Sequence, residues 1–250
     1  MPLDEDIRVR WADGLVWVED SVAGSNPVTG KELRDQFVSD VSALTFGLVR
    51  MRGTSMVFGP LEILRFGRPK TTRTGVDWPV EGGLAAGAAG GHWSINASGG
   101  RLVASLEGYT PRLPRFIYAL TQLPIHHLVM RLHLLRARGR VPSPGVPAAP
   151  TRRIAASAID VGLCAAAALL AGRRRRIAAF AGLAIGYHVA CWSSSGRTVG
   201  GLIAGQRVVS VDGSRLSIGQ SLVRLLALPM AALRLRAVHD DIAGTEVIAD

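Results

Sequence analysis

Two apolar runs, held apart by four consecutive arginines, limit what this chain can fold into. The first, Ile154–Gly172 (IAASAIDVGLCAAAALLAG), has 19 residues and one charge, Asp160. At ~1.5 Å rise per residue, a bilayer core of ~30 Å needs about 20 helical residues, so this run is just long enough to span. The second, Ile177–Ser195, carries no formal charge, and Trp192 near its end suits an interfacial anchor. A third run, Ile218–Leu235, is broken by Arg224, Pro229 and Arg234, and reads as a short span or an interfacial helix. A buried Ala-rich core is the alternative. The adjacency of two such runs and their arginine flanks favour the membrane.

Composition narrows the classes further. Of 250 residues, 48% are hydrophobic, the mean hydropathy is +0.25 and the formal net charge is +10. That is too apolar for a disordered tail. An apolar and basic chain points to an anionic surface. The arginines flank apolar runs and form no reading module, which favours a phospholipid membrane and excludes nucleic acid. Cys164 and Cys191 both lie in apolar stretches and supply neither a disulfide framework nor a ligand set. His126, His127 and His133 have no metal spacing with a nearby Cys or carboxylate. The chain has no Gly-x-Ser-x-Gly elbow, no HExxH and no phosphate-binding Gly-Lys-Ser/Thr, so no enzyme, cofactor or metal is expected.

Residues 1–140 read as a soluble α+β domain. Ile7–Trp11 and Leu15–Val18 alternate apolar with polar around an Asp13-Gly14 turn. Lys31–Leu44 has helical spacing at Leu33, Phe37, Val38, Val41 and Leu44. Strand patterns return at Thr45–Arg52, Ser55–Leu64, Val76–Val80, Trp93–Asn96 and Leu102–Leu106, and a long helix from about Leu113 to Arg138 closes the domain, kinked at Pro124. This order resembles that of helix-grip domains, which wrap a sheet around a closing helix to hold lipids or other apolar ligands. Gly82–Gly91 reads as a mobile hairpin, with a membrane-touching loop as the alternative. Between Glu107 and Asp160 the chain has no acidic residue and eight arginines. Arg115, Arg131, Arg136, Arg138 and Arg140 are therefore candidates for lipid-surface contact, at ~1 kcal/mol each near an anionic surface. Val141–Pro150 (VPSPGVPAAP) holds four prolines and reads as a stiff linker over 141–150, followed by the membrane domain at 151–250.

The start, Met-Pro-Leu-Asp-Glu-Asp, lacks the basic and apolar regions of a signal peptide, and the first 40 residues hold nine carboxylates. A cytoplasmic N-terminus on a multi-pass cell-membrane protein is the expectation. The arginines flanking the two spans outnumber those of the Arg173–Arg176 turn by seven to four. The positive-inside rule then keeps both termini inside and the turn outside.

Asp160 is the sharpest chemical candidate. A carboxylate inside an apolar span costs ~2.5–3.5 kcal/mol unless it pairs or protonates. Arg153, seven residues earlier, and Arg224 on the third run are the expected partners. Either the set locks helix packing, or it binds protons or cations. Gly196-x-x-x-Gly200 and Gly201-x-x-x-Gly205 allow close backbone approach. Val208–Val211 reads as a strand turning at Asp212-Gly213, with Glu246–Ile248 as its partner.

Three pieces of the C-terminal hundred residues resemble the RDD family of bacterial membrane proteins. Arg153-Ile-Ala-Ala-Ser-Ala-Ile-Asp160 is similar to the family's opening motif. The stretch with Gly196, Thr198, Gly200, Gly205 and Arg207 is similar to its G-x-T-x-G…G-x-R-V-V segment. His239-Asp240-Asp241-Ile-Ala-Gly244-Thr245 is similar to its closing motif. The resemblance implies a membrane module, often fused to other domains, with cation–proton antiport proposed for some members. The expectation is an accessory or assembly subunit, or a lipid-facing binding module, working with other membrane subunits. The alternative is a proton- or cation-coupled transporter using Asp160. The fold expected is an α+β soluble domain followed by an α-helical transmembrane module of two spans and a short third helix.

Overall fold

The computed structural model describes residues 7–24, 27–234 and 238–250. The acidic start at 1–6 and Leu235, the end of the third apolar run, lie outside the described residues. The chain divides into two compact units, Met1–Val141 and Pro142–Asp250.

The first unit is α+β. β1 (Ile7–Ala12) and β2 (Leu15–Ala23) form the expected hairpin, with Asp13 and Gly14 both at positive φ. α1 (Gly30–Leu44) starts at a capping box in which the Thr29 hydroxyl accepts from the Glu32 amide and the Glu32 carboxylate accepts from Thr29. It buries Leu33, Phe37 and Val41 on one face. The Thr45–Arg52 segment is strand only at β3 (Val49–Arg52), because residues 45–48 turn. Ser55–Leu64 is a hairpin, β4 (Ser55–Phe58) and β5 (Leu61–Phe66), split by Gly59 at φ 57° and Pro60. β6 (Lys70–Thr71), β7 (Gly75–Gly82), β8 (His92–Ser98) and β9 (Arg101–Tyr109) complete one antiparallel sheet. Its order is β1-β2-β9-β8-β7-β5-β4-β3, with β6 paired to β7. Alternate residues Val16, Val18, Trp78, Val80, Trp93, Ile95, Leu102, Ala104 and Leu106 are buried, as period-two strands require.

The expected long closing helix is two helices, α2 (Arg115–Leu120) and α3 (Gln122–Arg138), broken at Thr121. Pro124 falls in the first turn of α3, where its missing N–H is no loss, so it causes no kink in the middle. α3 packs on β2, β9 and α1, with Leu132, Leu134 and Leu135 buried.

In the second unit, α4 (Pro150–Ala168) buries only the strip Ala156, Asp160, Cys164 and Ala168. α5 (Arg176–Ser194) follows a 3-10 turn at Arg173–Arg175 and buries only Trp192. α6 (Val199–Ala204) leads into β10 (Gln206–Ser210), which pairs antiparallel with β11 (Thr245–Ala249), the strand pair expected from sequence. Between them lie α7 (Ile218–Arg234) and α8 (Val238–Ala243). Ser217 and Gln220 close a capping box at the start of α7. The proline-rich segment is no free spacer. The Ala148 amide donates to Val247, the Ala249 amide donates to Val146, and Ala148 is buried.

Among the described residues one helix, Arg173–Ser194, is long and apolar enough to cross a membrane, and Ile218–Met230 is a shorter apolar helix. The first run falls short because its helix ends at Ala168. From Ile154 that leaves about 15 apolar residues, or ~22 Å. Both α4 and α5 nevertheless expose large apolar side chains, among them Ile154, Val161, Leu163, Ile177 and Ile185.

Candidate functional site

The first unit holds a cavity of about 290 Å3 between its sheet and its closing helices. Val41 and Thr45 from the end of α1, Met56, Ile63 and Leu64 from β4 and β5, and Trp93, Leu106 and Tyr109 from β8 and β9 line it. Tyr118, Gln122, Ile125, His126, Val129 and Met130 from α2 and α3 complete the wall. Most of its polar groups are spent on the fold. The Tyr109 hydroxyl donates to Ala85 at 2.6 Å, and the Thr45 hydroxyl donates to Val41 and accepts from Val49. Ile125 is 64% exposed, so the cavity reaches the surface beside α3.

Two buried carboxylates staple α3 over this cavity. Asp20 on β2 meets His127 Nδ1 at 2.7 Å, and His126 Nε2 stands 3.3 Å from its other oxygen, off the line of a hydrogen bond. Burial raises the Asp20 carboxyl, but the two imidazoles outweigh it and hold it below the usual range. Asp40 on α1 meets His133 Nδ1 at 2.8 Å and Arg136 Nε at 3.2 Å. These histidines are therefore helix fasteners. Sequence reading missed both pairings, since the partners lie 107 and 93 residues apart.

The arginine row behaves differently from expectation. Arg131 and Arg138 are buried, so they cannot serve as lipid-surface contacts. Arg136 is tied to Asp40, and Arg115 lies over Trp11 at 5.1 Å. Arg115 and Arg140 are exposed.

In the second unit the motif residues gather around two carboxylates. Asp160 Oδ1 accepts from the Tyr187 hydroxyl at 2.7 Å and from the Gly200 amide at 2.8 Å. The same Tyr187 oxygen accepts from the Val199 amide at 2.7 Å. Thr198 caps α6 through the Gly201 amide, and Gly205 ends it at φ 64°. Gly200 lies so close to α4 that a Cβ there would meet the Ala156 carbonyl oxygen at 2.1 Å. The close-approach reading of the glycine spacing thus locates a real contact.

Asp240 on α8 is the second node. Arg224 on α7 reaches it at 2.8 Å, and Arg153 on α4 also pairs with it. The Thr245 hydroxyl donates to it at 3.0 Å. Both arginines expected beside Asp160 therefore go to Asp240. Arg224 also lies 4.5 Å over the Trp192 ring, and that stacking buries the residue expected at the interface. Burial opposes the Asp240 charge, but Arg224 leads the attractions that keep its carboxyl below the usual range. Burial pushes His239 down to about 4, against the pull of Asp240. A neutral imidazole results at neutral pH. Gly244 turns at φ 60°, and Arg207 and Arg197 both reach Asp250, at 3.6 and 2.8 Å. His188 bonds back to Ala184 within its own helix.

Among the described residues, no three His, Cys, Asp or Glu side chains gather as a metal site. No curated protein and no solved structure matches the chain. A family model does match, over about a quarter of the length, taking in α5, the Gly196–Arg207 motif and α7 up to His239, and leaving the Arg153–Asp160 piece outside. The C-terminal part of this chain therefore carries an RDD family domain, found at residues 176–239.

Proposed function

We propose that this protein is a membrane-anchored binding module, held in the cell membrane by its RDD domain, whose first unit takes up an apolar ligand as an accessory component of a membrane assembly. The cavity carries the reading. A dry apolar cavity of ~150 Å3 accepts one benzene, so about 290 Å3 suits a chain of roughly a dozen carbons. Gln122 is the wall group left to meet a polar head. The apolar surfaces of α4 and α5 support multi-pass embedding, with α4 reaching only part of the way. Asp160 serves packing in this reading, because its contacts tie α4, α5 and the start of α6 together.

The test uses the full chain in lipid nanodiscs, titrated with ω-bromo fatty acids of increasing chain length. Bromine quenches tryptophan, and Trp93 lines the cavity. Saturable quenching should peak near a dodecanoyl chain and disappear in Trp93→Phe. Filling the cavity from either wall, with Val129→Phe or Ala85→Leu, should weaken binding by tenfold or more while melting temperature holds. Simple partitioning into lipid would instead strengthen about fourfold per added methylene, with no optimum. That result refutes the cavity as a site.

A further inference from the structure

The turn after α1 is built against ordinary local preference. The helix ends through Gly47 N–H donating to Ser42, and Phe46 occupies the left-handed position at φ 53°. Glycine or asparagine suits that position, and a bulky aromatic there strains the backbone. Phe46 gains little packing in return, being 73% exposed, and Leu48 beside it is 60% exposed. The turn is nevertheless fixed, because the Thr45 hydroxyl bridges Val41 and Val49. A rigid, strained, apolar prong is what remains.

Its place and charge say what it meets. Thr45 and Val49, on either side of Phe46 and Leu48, line the cavity. So do Tyr118 and Ile125, whose neighbours on α2 and α3 include exposed Leu120. Exposed apolar side chains thus border two walls of an apolar cavity. No acidic residue occurs between Asp40 and Glu62, while Arg50 and Arg52 stand exposed there. Arg50 Nε donates to Gly47, so a guanidinium sits at the base of the prong, and neither arginine has an ion pair among the described residues. Apolar tips ringed by cations fit an anionic bilayer, with the side chains in the acyl boundary and the arginines at phosphate level.

The geometry points to a membrane-docking prong, Phe46–Leu48, that inserts into anionic lipid and puts the cavity in reach of bilayer chains. The insertion stands alone, while the loading step rests on the proposed function. The probe is an environment-sensitive fluorophore on Phe46→Cys in a full chain with Cys164→Ala and Cys191→Ala, reconstituted into phosphatidylglycerol-containing vesicles. Val9→Cys, on the far edge strand, is the aqueous control. Lipid-borne nitroxide should quench the Phe46 site several-fold more than aqueous iodide does, and the order should reverse at Val9. Replacing phosphatidylglycerol by phosphatidylcholine should weaken the nitroxide effect. Iodide quenching at both sites overturns the proposal, and so does a Phe46 site shielded from both quenchers, which would mean a protein partner. Phe46→Asp should slow uptake of ω-bromododecanoate from vesicles severalfold with unchanged final quenching. A loss of the final quenching in the unmodified chain would instead count against the cavity reading alone.

Discussion

Gly200→Ala tests the contact on which the second unit depends. An added Cβ would lie 2.1 Å from the Ala156 carbonyl oxygen, 2.8 Å from its carbon and 3.0 Å from its Cα, all backbone of α4. Ordinary contact begins near 3.4 Å, so α6 and α4 must part by about 1.3 Å. The Gly200 amide stands 2.8 Å from Asp160, and a parting of that size breaks this bond to a buried carboxylate. Losing a hydrogen bond to a charged group costs ~1.5–3 kcal/mol. The Tyr187 bridge to Val199 is strained with it, so about 3–5 kcal/mol in all is expected. Cys164 reports the effect, since it sits one turn beyond Asp160 and is 5% exposed. In nanodiscs, maleimide labelling of Cys164 should speed by two orders of magnitude or more, and the melting temperature should fall. Labelling and melting unchanged within about 0.5 kcal/mol would refute the close contact between the two backbones.

The first unit should be acid-sensitive through Asp20. Its folded carboxyl lies below the reference 3.8, so its contribution is complete above that value and is lost as pH falls through the folded one. Asp20→Asn should lower stability at neutral pH and flatten the acid limb of a melting-temperature profile, whereas a parallel shift at every pH would count against the pairing. Asp160→Asn should speed Cys164 labelling without altering proton or cation flux in proteoliposomes. Flux in the wild type that the variant abolishes, with the fold intact, would establish transport instead.

How much could be read in advance follows from the range of each interaction. The β1–β2 hairpin, α1 and the β10–β11 pair rest on turn residues and periodicity within a few positions, and they stand where the sequence puts them. The apolar spacing of Leu113–Arg138 runs through Thr121 and so predicts one continuous helix. Only the proline-limited first turn of α3 shows why the chain restarts there. Buried arginines escape such reading altogether. Arg131 and Arg138 look like a solvated basic face, yet tertiary packing buries both.

The Arg153–Asp160 pairing shows the same limit inside a motif. Seven residues put the two side chains on one helix face, but also about 10 Å apart along the axis, beyond what an aspartate and an arginine bridge without bending. Each therefore takes the partner that tertiary structure brings to its own level. For Asp160 that is the start of α6, where Gly200 lets the backbone come close enough to donate. For Arg153 it is Asp240, delivered by α8 and shared with Arg224 from α7. Asp240 thus stands between two arginines, with His239 held neutral beside it. Removing Asp240 would leave the buried Arg224 guanidinium without its carboxylate, a cost of ~3–5 kcal/mol by itself. The charged residues around Asp160 and Asp240 thus act as two separate locks. One ties α4 to α5 and α6, and the other ties α4 to α7 and α8.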